Sequence, residues 1–292
     1  MKILVGIPAY NEEKTLADVI REIKDVMNKH KYNYSILVLD DGSTDRTVEI
    51  AKELGCTVYS HQRNMGLVEA FKSEIKKFLE SKADIFLHID SDGQYPASYI
   101  PSLIKKIEEG YDLVLGSRFR GKIEGMPFMK RWGNRAFAKV LSKLTKVKLT
   151  DTTTGFRAFN KQVAREIEII NTFTYTQEQI IRATRQNFRI VEIPINSRKT
   201  RPSKLFKNPF EYAIKAWINI FRIYRDYEPL KFFGIFGGIF ILIGLAVGIW
   251  LLINFINTGK FGHTPTLILV TILILIGIQI VSFGFLADKI RN

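Results

Sequence analysis

The chain carries one cysteine, Cys56, in 292 residues, which excludes an internal disulfide and suits a reducing compartment. Neither glycine-rich phosphate loop is present: no G-x-G-x-x-G follows the first apolar strand, and no G-x-x-x-x-G-K-[ST] occurs anywhere. A dinucleotide enzyme or an ATPase is therefore disfavoured. Helix-turn-helix, zinc-binding and RNA-binding signatures are missing as well, so the net charge of +14 is not read as a nucleic-acid footprint, and no nucleic-acid partner is expected. Charge itself is absent from Phe232 to Gly259 and again from Thr264 to Ala287. Each run exceeds the roughly 20 apolar residues that cross a bilayer.

Two transmembrane helices follow, at about 232–256 and 264–287, within a membrane domain over 230–292. Arg222, Arg225 and Lys231 precede the first span and Lys289 and Arg291 follow the second, against Lys260 and His263 between them. Basic flanks stay on the cytoplasmic side, so the expectation is a multi-pass protein of the cell membrane with its N-terminal domain, 1–209, in the cytoplasm. Ile3 to Ile7 is too short an apolar run, ending at Pro8, for a cleavable signal. Between domain and spans, residues 210–229 mix Trp217, Ile218, Phe221 and Tyr224 with basic side chains, the pattern of an amphipathic helix lying in the bilayer interface. A core helix is the alternative there.

The first 117 residues alternate apolar strands with helical spacing, which predicts an α/β domain with a Rossmann-like, mostly parallel sheet. Strands are expected at 2–7, 34–39, 57–60, 84–89, 112–115 and 189–195, and helices at 13–29, 44–54, 67–80, 97–109, 130–146 and 174–186. Ser43 or Thr44 is the candidate helix cap. The stripe of Trp132, Ala136, Phe137, Val140, Leu141 and Leu144 reads as core packing. Residues 1–117 carry a net charge of −4, 118–148 of +9 and 198–230 of +5. The acidic half suits a metal, and the basic parts suit phosphates or an anionic membrane surface.

The densest signal is the run Ile85-Phe86-Leu87-His88-Ile89 entering Asp90-Ser91-Asp92-Gly93-Gln94. A strand delivers its last side chains to the carboxyl edge of the sheet, where open α/β folds bind ligands. Two carboxylates one residue apart there can converge on one hard cation. Read alone, the same residues are a turn. His88, inside the strand, reads as a packed core residue. Two further strand ends carry Gly6-Ile7-Pro8-Ala9-Tyr10-Asn11-Glu12-Glu13 and Leu39-Asp40-Asp41-Gly42-Ser43-Thr44-Asp45.

With these three segments in order, the sequence resembles the family 2 glycosyltransferases of the GT-A fold. Asn64-Met65-Gly66-Leu67, Gly116-Ser117-Arg118, Asp151 to Arg157, and Ile193-Pro194-Ile195 followed by Arg198 and Ser203-Lys204-Leu205 narrow the likeness to the polyprenyl-phosphate glycosyltransferases, of the dolichol-phosphate mannose synthase type. It spans about residues 3–230. The family has Gly three positions after Arg198, where this chain has Arg201 followed by Pro202, so its loop closure does not carry over. The resemblance implies that Pro8, Tyr10, Asn11, Glu12 and Asp41 hold the nucleotide sugar, joined by Asp90, Gln94 and Arg198. It implies that Asp90, Asp92 and Gln94 bind Mg²⁺ or Mn²⁺, and that Asp92 belongs to the catalytic group. All-oxygen ligands argue against zinc.

A polyprenyl phosphate is already anionic near neutral pH, so the implied enzyme needs cations to overcome phosphate repulsion more than it needs a base. Arg118, Arg131 and Lys204 are the leading candidates, with Lys130, Arg135 and Arg198 behind them. A solvated surface charge is the alternative for each. Glu178 matches an acidic position of the family, so the resemblance implies that it orients the acceptor or the sugar; the alternative is that it simply pairs with Arg182 four residues on. The expected reaction moves a hexose from GDP-mannose or UDP-glucose to a polyprenyl (dolichyl) phosphate with inversion. A processive polysaccharide synthase is weighed against it, but Gln179-Ile180-Ile181-Arg182-Ala183 lacks the Trp of a Q-x-x-R-W motif. A non-catalytic membrane scaffold of the same fold is the other alternative. Gly234, Gly237, Gly238 and Gly244 could let spans associate into a homo-oligomer.

Overall fold

The computed structural model describes residues 1–167, 169, 175–199, 218, 221–222, 224–225, 228–259 and 264–291. The chain forms two compact units, Met1–Ala213 and Ile214–Asn292. Lys204 and most of the expected interfacial helix at 210–229 lie outside the described residues.

In the first unit, β1 (Lys2–Ala9) is apolar along nearly its whole length and buried from Ile3 to Ala9, as befits a strand covered on both faces. It pairs in parallel with β2 (Asn33–Asp40) on one side and with β4 (Ile85–His88) on the other. The edge strand β3 (Thr57–Ser60) is parallel to β2. Crossover helices return the chain between them: α1 (Leu16–Lys29), α2 (Thr47–Glu53) and α3 (Leu67–Glu80). Leu16, Val19, Ile20, Ile23 and Met27 form the buried stripe of α1, at the three-and-four spacing that puts one helix face on a sheet.

The second half of the sheet departs from simple alternation. After a 3₁₀ turn at Ala97–Tyr99 and α4 (Ile100–Glu108), β5 (Leu113–Ser117) does not lie beside β4. The slot is taken by β6 (Arg157–Asn160), antiparallel to both neighbours, with Phe86 opposite Phe159 and His88 opposite Arg157. Parallel β7 (Ile190–Pro194) closes the far edge, giving the order β3-β2-β1-β4-β6-β5-β7. The insertion is held by aromatic packing, with Phe86 and Phe159 ring centroids 5.3 Å apart and Phe78 5.3 Å from Phe86. Between β5 and β6 run α5 (Phe128–Thr145) and a loop; α6 (Lys161–Glu166) and α7 (Tyr175–Arg185) follow β6.

Two local expectations fail. Neither Ser43 nor Thr44 caps α2: its N-cap is Arg46, without a side-chain bond, and the Asp45 carboxylate accepts the Thr47 amide at 3.0 Å. The β2–α2 loop uses Ser43 and Thr44 to bind Asn11 instead. On α5, Phe137 and Leu141 are buried but Trp132 is 56% exposed. The buried face of that helix is set by Asn134, Phe137, Ala138 and Leu141, which turns Trp132 outward.

The second unit contains α8 (Pro229–Thr258) and α9 (Thr264–Arg291). Both are long and apolar enough to cross a membrane, and only 6% and 11% of their most apolar windows are buried. That exposure is unlike the core helices of a soluble protein. The two helices approach through glycine: a Cβ on Gly237 would lie 2.5 Å from the Gly277 carbonyl oxygen, and one on Gly244 2.8 Å from Ile274. Gly237 and Gly244 thus serve contact inside this helix pair, while Gly234 and Gly238 face open space.

Gly6, in the middle of β1, has no room for a side chain: a Cβ would fall 2.2 Å from Phe86 and 2.8 Å from the Glu74 carboxylate. Gly6→Ala is expected to destabilise the protein by about 1–3 kcal/mol, the usual cost of overpacking a core, read as a lower unfolding temperature in detergent.

Candidate active site

The carboxyl ends of β1, β2 and β4 open on one edge of the sheet, and the acidic pair sits there. Asp90 leaves β4 with its side chain 31% exposed. Gly155, in the loop entering β6, is its wall: a Cβ there would lie 2.6 Å from both Asp90 oxygens. That loop is fixed by the Gly155 amide donating to the Tyr95 hydroxyl at 3.2 Å and by Tyr95 stacking on Phe156. Asp92 accepts the Gln94 amide at 3.0 Å. Burial, and then the charge of Asp90, raise the Asp92 carboxyl to about 6.

Among the described residues no three His, Cys, Asp or Glu side chains converge as a ready-made metal cage. Two repelling carboxylates with the Gln94 amide nearby, beside a glycine that leaves space against Asp90, fit a smaller demand. Mg²⁺ or Mn²⁺ needs only one or two carboxylates when a diphosphate and water complete its shell. Zinc, with its preference for Cys and His, does not fit this donor set.

Asp90 rests on a fully buried polar layer. His88 Nε2 lies 2.8 Å from the Tyr175 hydroxyl and 3.7 Å from Asp90, while Nδ1 lies 2.8 Å from Glu74. Burial alone would lower the imidazole pKa, but Glu74 and Asp90 outweigh it and raise His88 to about 9. Beside it Arg157, also buried, donates to Gln179 at 2.8 Å and to the Thr154 carbonyl, and lies 5.3 Å over the Tyr175 ring. His88 is therefore a core residue, as the sequence suggested, but one that faces the acidic pair from below.

The cations divide into two kinds. Arg118 is 4% exposed and grips Asp151 with Nε at 2.7 Å and Nη2 at 2.9 Å. Its Nη1 donates to Gln94 Oε1 at 3.4 Å, so Arg118 reaches the acidic cluster as a brace on Gln94. Asp151 accepts from the Arg118 amide as well, and its own amide donates to buried Glu192. Lys130 is the second kind, an ammonium near Asp92. Burial chiefly, then Arg118, lower its pKa, and Asp92 pulls the other way. Arg131 and Arg135, on α5, are exposed, and Arg135 lies 5.5 Å over Phe119.

The donor-side residues gather around β1 and β2. Pro8 is buried at the end of β1 and Tyr10 is 38% exposed beyond it. Asn11, at φ 54°, binds the β2–α2 loop through its amide to Ser43 and its Oδ1 from Thr44. Glu12 is 6% exposed, with its amide on Thr47. Asp41 accepts the Met65 and Gly66 amides at 2.8 Å each and lies 2.7 Å from His61 Nδ1. Those contacts use three of a carboxylate's roughly four acceptor positions. Gly42, at φ +77°, lets the chain pass Arg63, whose backbone a Cβ would approach to 2.6 Å.

Two expected site residues hold ion-pair partners of their own, and a third is not described. Arg198 forms a two-pronged pair with Glu22 at 2.8 and 3.0 Å, although its amide donates to the Gln94 carbonyl. Glu178 pairs with Arg182 at 2.8 Å, the alternative offered by their spacing. Lys204 lies outside the described residues. Asp151, Glu192 and Gly155 carry structure that the sequence reading gave no role; the turn-rich run Asp151 to Gly155 was the available signal.

Residues 4–168 match the family model described as Glycosyl transferase family 2. A dolichyl-phosphate hexose transferase of Haloferax volcanii is 32% identical over 71% of this chain and 87% of its own. A dolichol-phosphate mannosyltransferase of Pyrococcus furiosus is 32% identical over 89% of this chain and 74% of its own. Among solved structures, glucosyl-3-phosphoglycerate synthase of Mycobacterium tuberculosis, in complex with Mn²⁺, uridine diphosphate and glucosyl-3-phosphoglycerate, superposes with a TM-score of 0.60 at 21% identity, covering 76% of this chain and 78% of that one. The likeness to that structure concerns the fold.

The raised Asp92 carboxyl has a cost in stability. A carboxyl that holds its proton more tightly in the folded state opposes folding once it ionises. The penalty is absent below the unfolded value near 3.8 and complete above about 6. Asp92→Asn should stabilise the EDTA-treated protein at pH 7.5 by up to about 3 kcal/mol, the worth of two pKa units less solvent screening. The gain should vanish by pH 4, as followed by thermal unfolding across that range.

Proposed function

Because the chain belongs to glycosyl transferase family 2, we propose that it transfers a hexose from GDP-mannose or UDP-glucose to a polyprenyl (dolichyl) phosphate, with inversion, at the cytoplasmic face of a membrane. The observation that carries the reading is the partly desolvated Asp90/Asp92 pair with Gln94 braced by Arg118. The names of the relatives in Haloferax and Pyrococcus support the acceptor class. The apolar pair α8 and α9 supports a lipid acceptor.

Pro8, Tyr10, Asn11, Glu12 and Asp41 form the nucleotide wall, with Asp41 keeping one acceptor position for a ribose or base hydroxyl. Asp90, Asp92 and Gln94 would hold Mg²⁺ or Mn²⁺, which when bound would supply charge neutralisation to the diphosphate. The protein's own residues do the rest. Lys130 offsets the charge of Asp92, and Arg131 with Lys204 draws the acceptor phosphate against the repulsion of the donor. The acceptor oxygen is ionised at neutral pH, so no side chain must take a proton from it. Its attack from the side opposite the leaving nucleotide inverts the anomeric carbon. Glu178, held by Arg182, orients the acceptor or sugar, and Arg198 adjoins Gln94 through its amide.

Purified protein incubated with polyprenyl phosphate, Mg²⁺ or Mn²⁺ and labelled GDP-mannose or UDP-glucose should place label in the organic phase. Asp92→Ala and Arg131→Ala should each lower kcat by about 100-fold or more, the usual loss of one transition-state contact. Transfer that persists in EDTA, or no lipid-borne label from either donor, would overturn the assignment.

A further inference from the structure

The protein donors on Asp41 are unevenly placed. Oδ1 accepts the Met65 amide at 2.8 Å and lies 2.7 Å from His61 Nδ1, whereas among the described residues Oδ2 accepts the Gly66 amide alone, at 2.8 Å. A carboxylate has about four acceptor positions, two on each oxygen, so Oδ1 is filled and Oδ2 keeps one. His61 is fixed from its other side, with Nε2 2.9 Å from the Ser73 hydroxyl on α3. A carboxylate cannot donate, so Nδ1 carries the hydrogen; Ser73, which can donate or accept, serves whichever form Nε2 takes. The His61 and Asp41 side chains are 11% and 7% exposed.

We propose that this half-filled carboxylate selects a uridine diphosphate donor, with His61 as the positioning residue that sets the choice against guanine. The inference rests on the nucleotide-sugar reading of the site and names the nucleotide. Strands β2 and β4 flank β1, so the ends carrying Asp41 and Asp90 lie two strand spacings apart, about 10 Å. That separation matches the reach from base to diphosphate in an extended nucleotide, which puts the base, and not the ribose, at Asp41. Guanine offers N1–H and N2–H side by side, a pair that a carboxylate takes one on each oxygen. With Oδ1 filled by His61 and Met65, one of those hydrogens would be stranded where water is largely excluded. Uracil offers a single N–H, at N3, and one open position on Oδ2 satisfies it. Adenine and cytosine instead turn a ring-nitrogen lone pair towards the carboxylate beside their amino group.

The test titrates UDP, GDP and IDP into the full protein in detergent with Mn²⁺, followed by calorimetry. IDP keeps the purine ring of GDP but lacks the 2-amino group, so it presents one N–H at purine size. UDP is expected to bind at least about 10-fold more tightly than GDP, the usual discrimination from one base-edge contact, and IDP is expected to bind more tightly than GDP. His61→Phe, which keeps a ring and removes the donor, should open Oδ1 and bring the UDP-to-GDP ratio towards unity. A residue that only supports the fold would weaken all three ligands together and leave that ratio unchanged. GDP binding as tightly as UDP would overturn the proposal. So would IDP binding no more tightly than GDP, which assigns the choice to the size of the base, or a ratio unmoved by His61→Phe. The IDP comparison needs no variant and decides the matter if His61→Phe does not fold. Failure of folded wild-type protein to bind any of the three would instead remove the nucleotide-sugar reading, and the inference with it.

Discussion

Repulsion between Asp90 and Asp92 organises the surrounding structure. Two carboxylates in a partly desolvated edge of a sheet oppose each other by on the order of a few kcal/mol, and nearly every nearby charge answers that field. Lys130 lies near Asp92, His88 faces the pair from beneath, and Arg118 steadies Gln94 beside them. Even with these neighbours, Asp92 still resists ionisation. On the proposed function, a carboxylate pair strained in this way would be relieved by the cation and diphosphate it holds, so that binding energy would go to the substrate complex. That is the direction in which a transferase benefits.

The buried charges below the site follow a second logic. Arg118 with Asp151, and His88 with Glu74, are pairs from which water is excluded. Such pairs add little net stability, but losing one partner is costly because the other charge is then stranded. They fix geometry: Asp151 ties the loop before β6 to the end of β5, and Glu192 ties the same loop to β7. The loop wall at Gly155 is thereby referred to three strands at once. A precise edge results.

The sequence made the strand ends readable because their chemistry is local. Apolar runs stopping at Pro8, Asp40 and Asp90 carry both the sheet and the acidic pair in a few residues each. The insertion of β6 was not readable: Arg157-Ala158-Phe159-Asn160 is too short to show alternation, and its place depends on Phe86 and Phe78, far away in the chain. Arg118 looked like a free cation because its partner is 33 residues on. The stripe on α5 gave the wrong side for Trp132 since helical spacing locates a face only to within a turn, and Asn134, a polar residue, is what lies inside. The Glu178 and Arg182 pair was readable because both residues lie on one helix.

The place of β6 also sets an order of assembly. Strands β1 to β4 are local in sequence and can pair as the chain emerges, leaving Asp90 and Asp92 at an unfinished edge. The wall beside Asp90 arrives only with residues 155–160, when β6 enters between β4 and β5. At ribosomal speeds of about 5–20 residues per second, that interval lasts several seconds. During it, β4 offers an open, apolar edge of the kind that invites pairing with another chain. The strand that completes the wall beside the acidic pair thus also covers the edge that would otherwise invite a neighbouring chain.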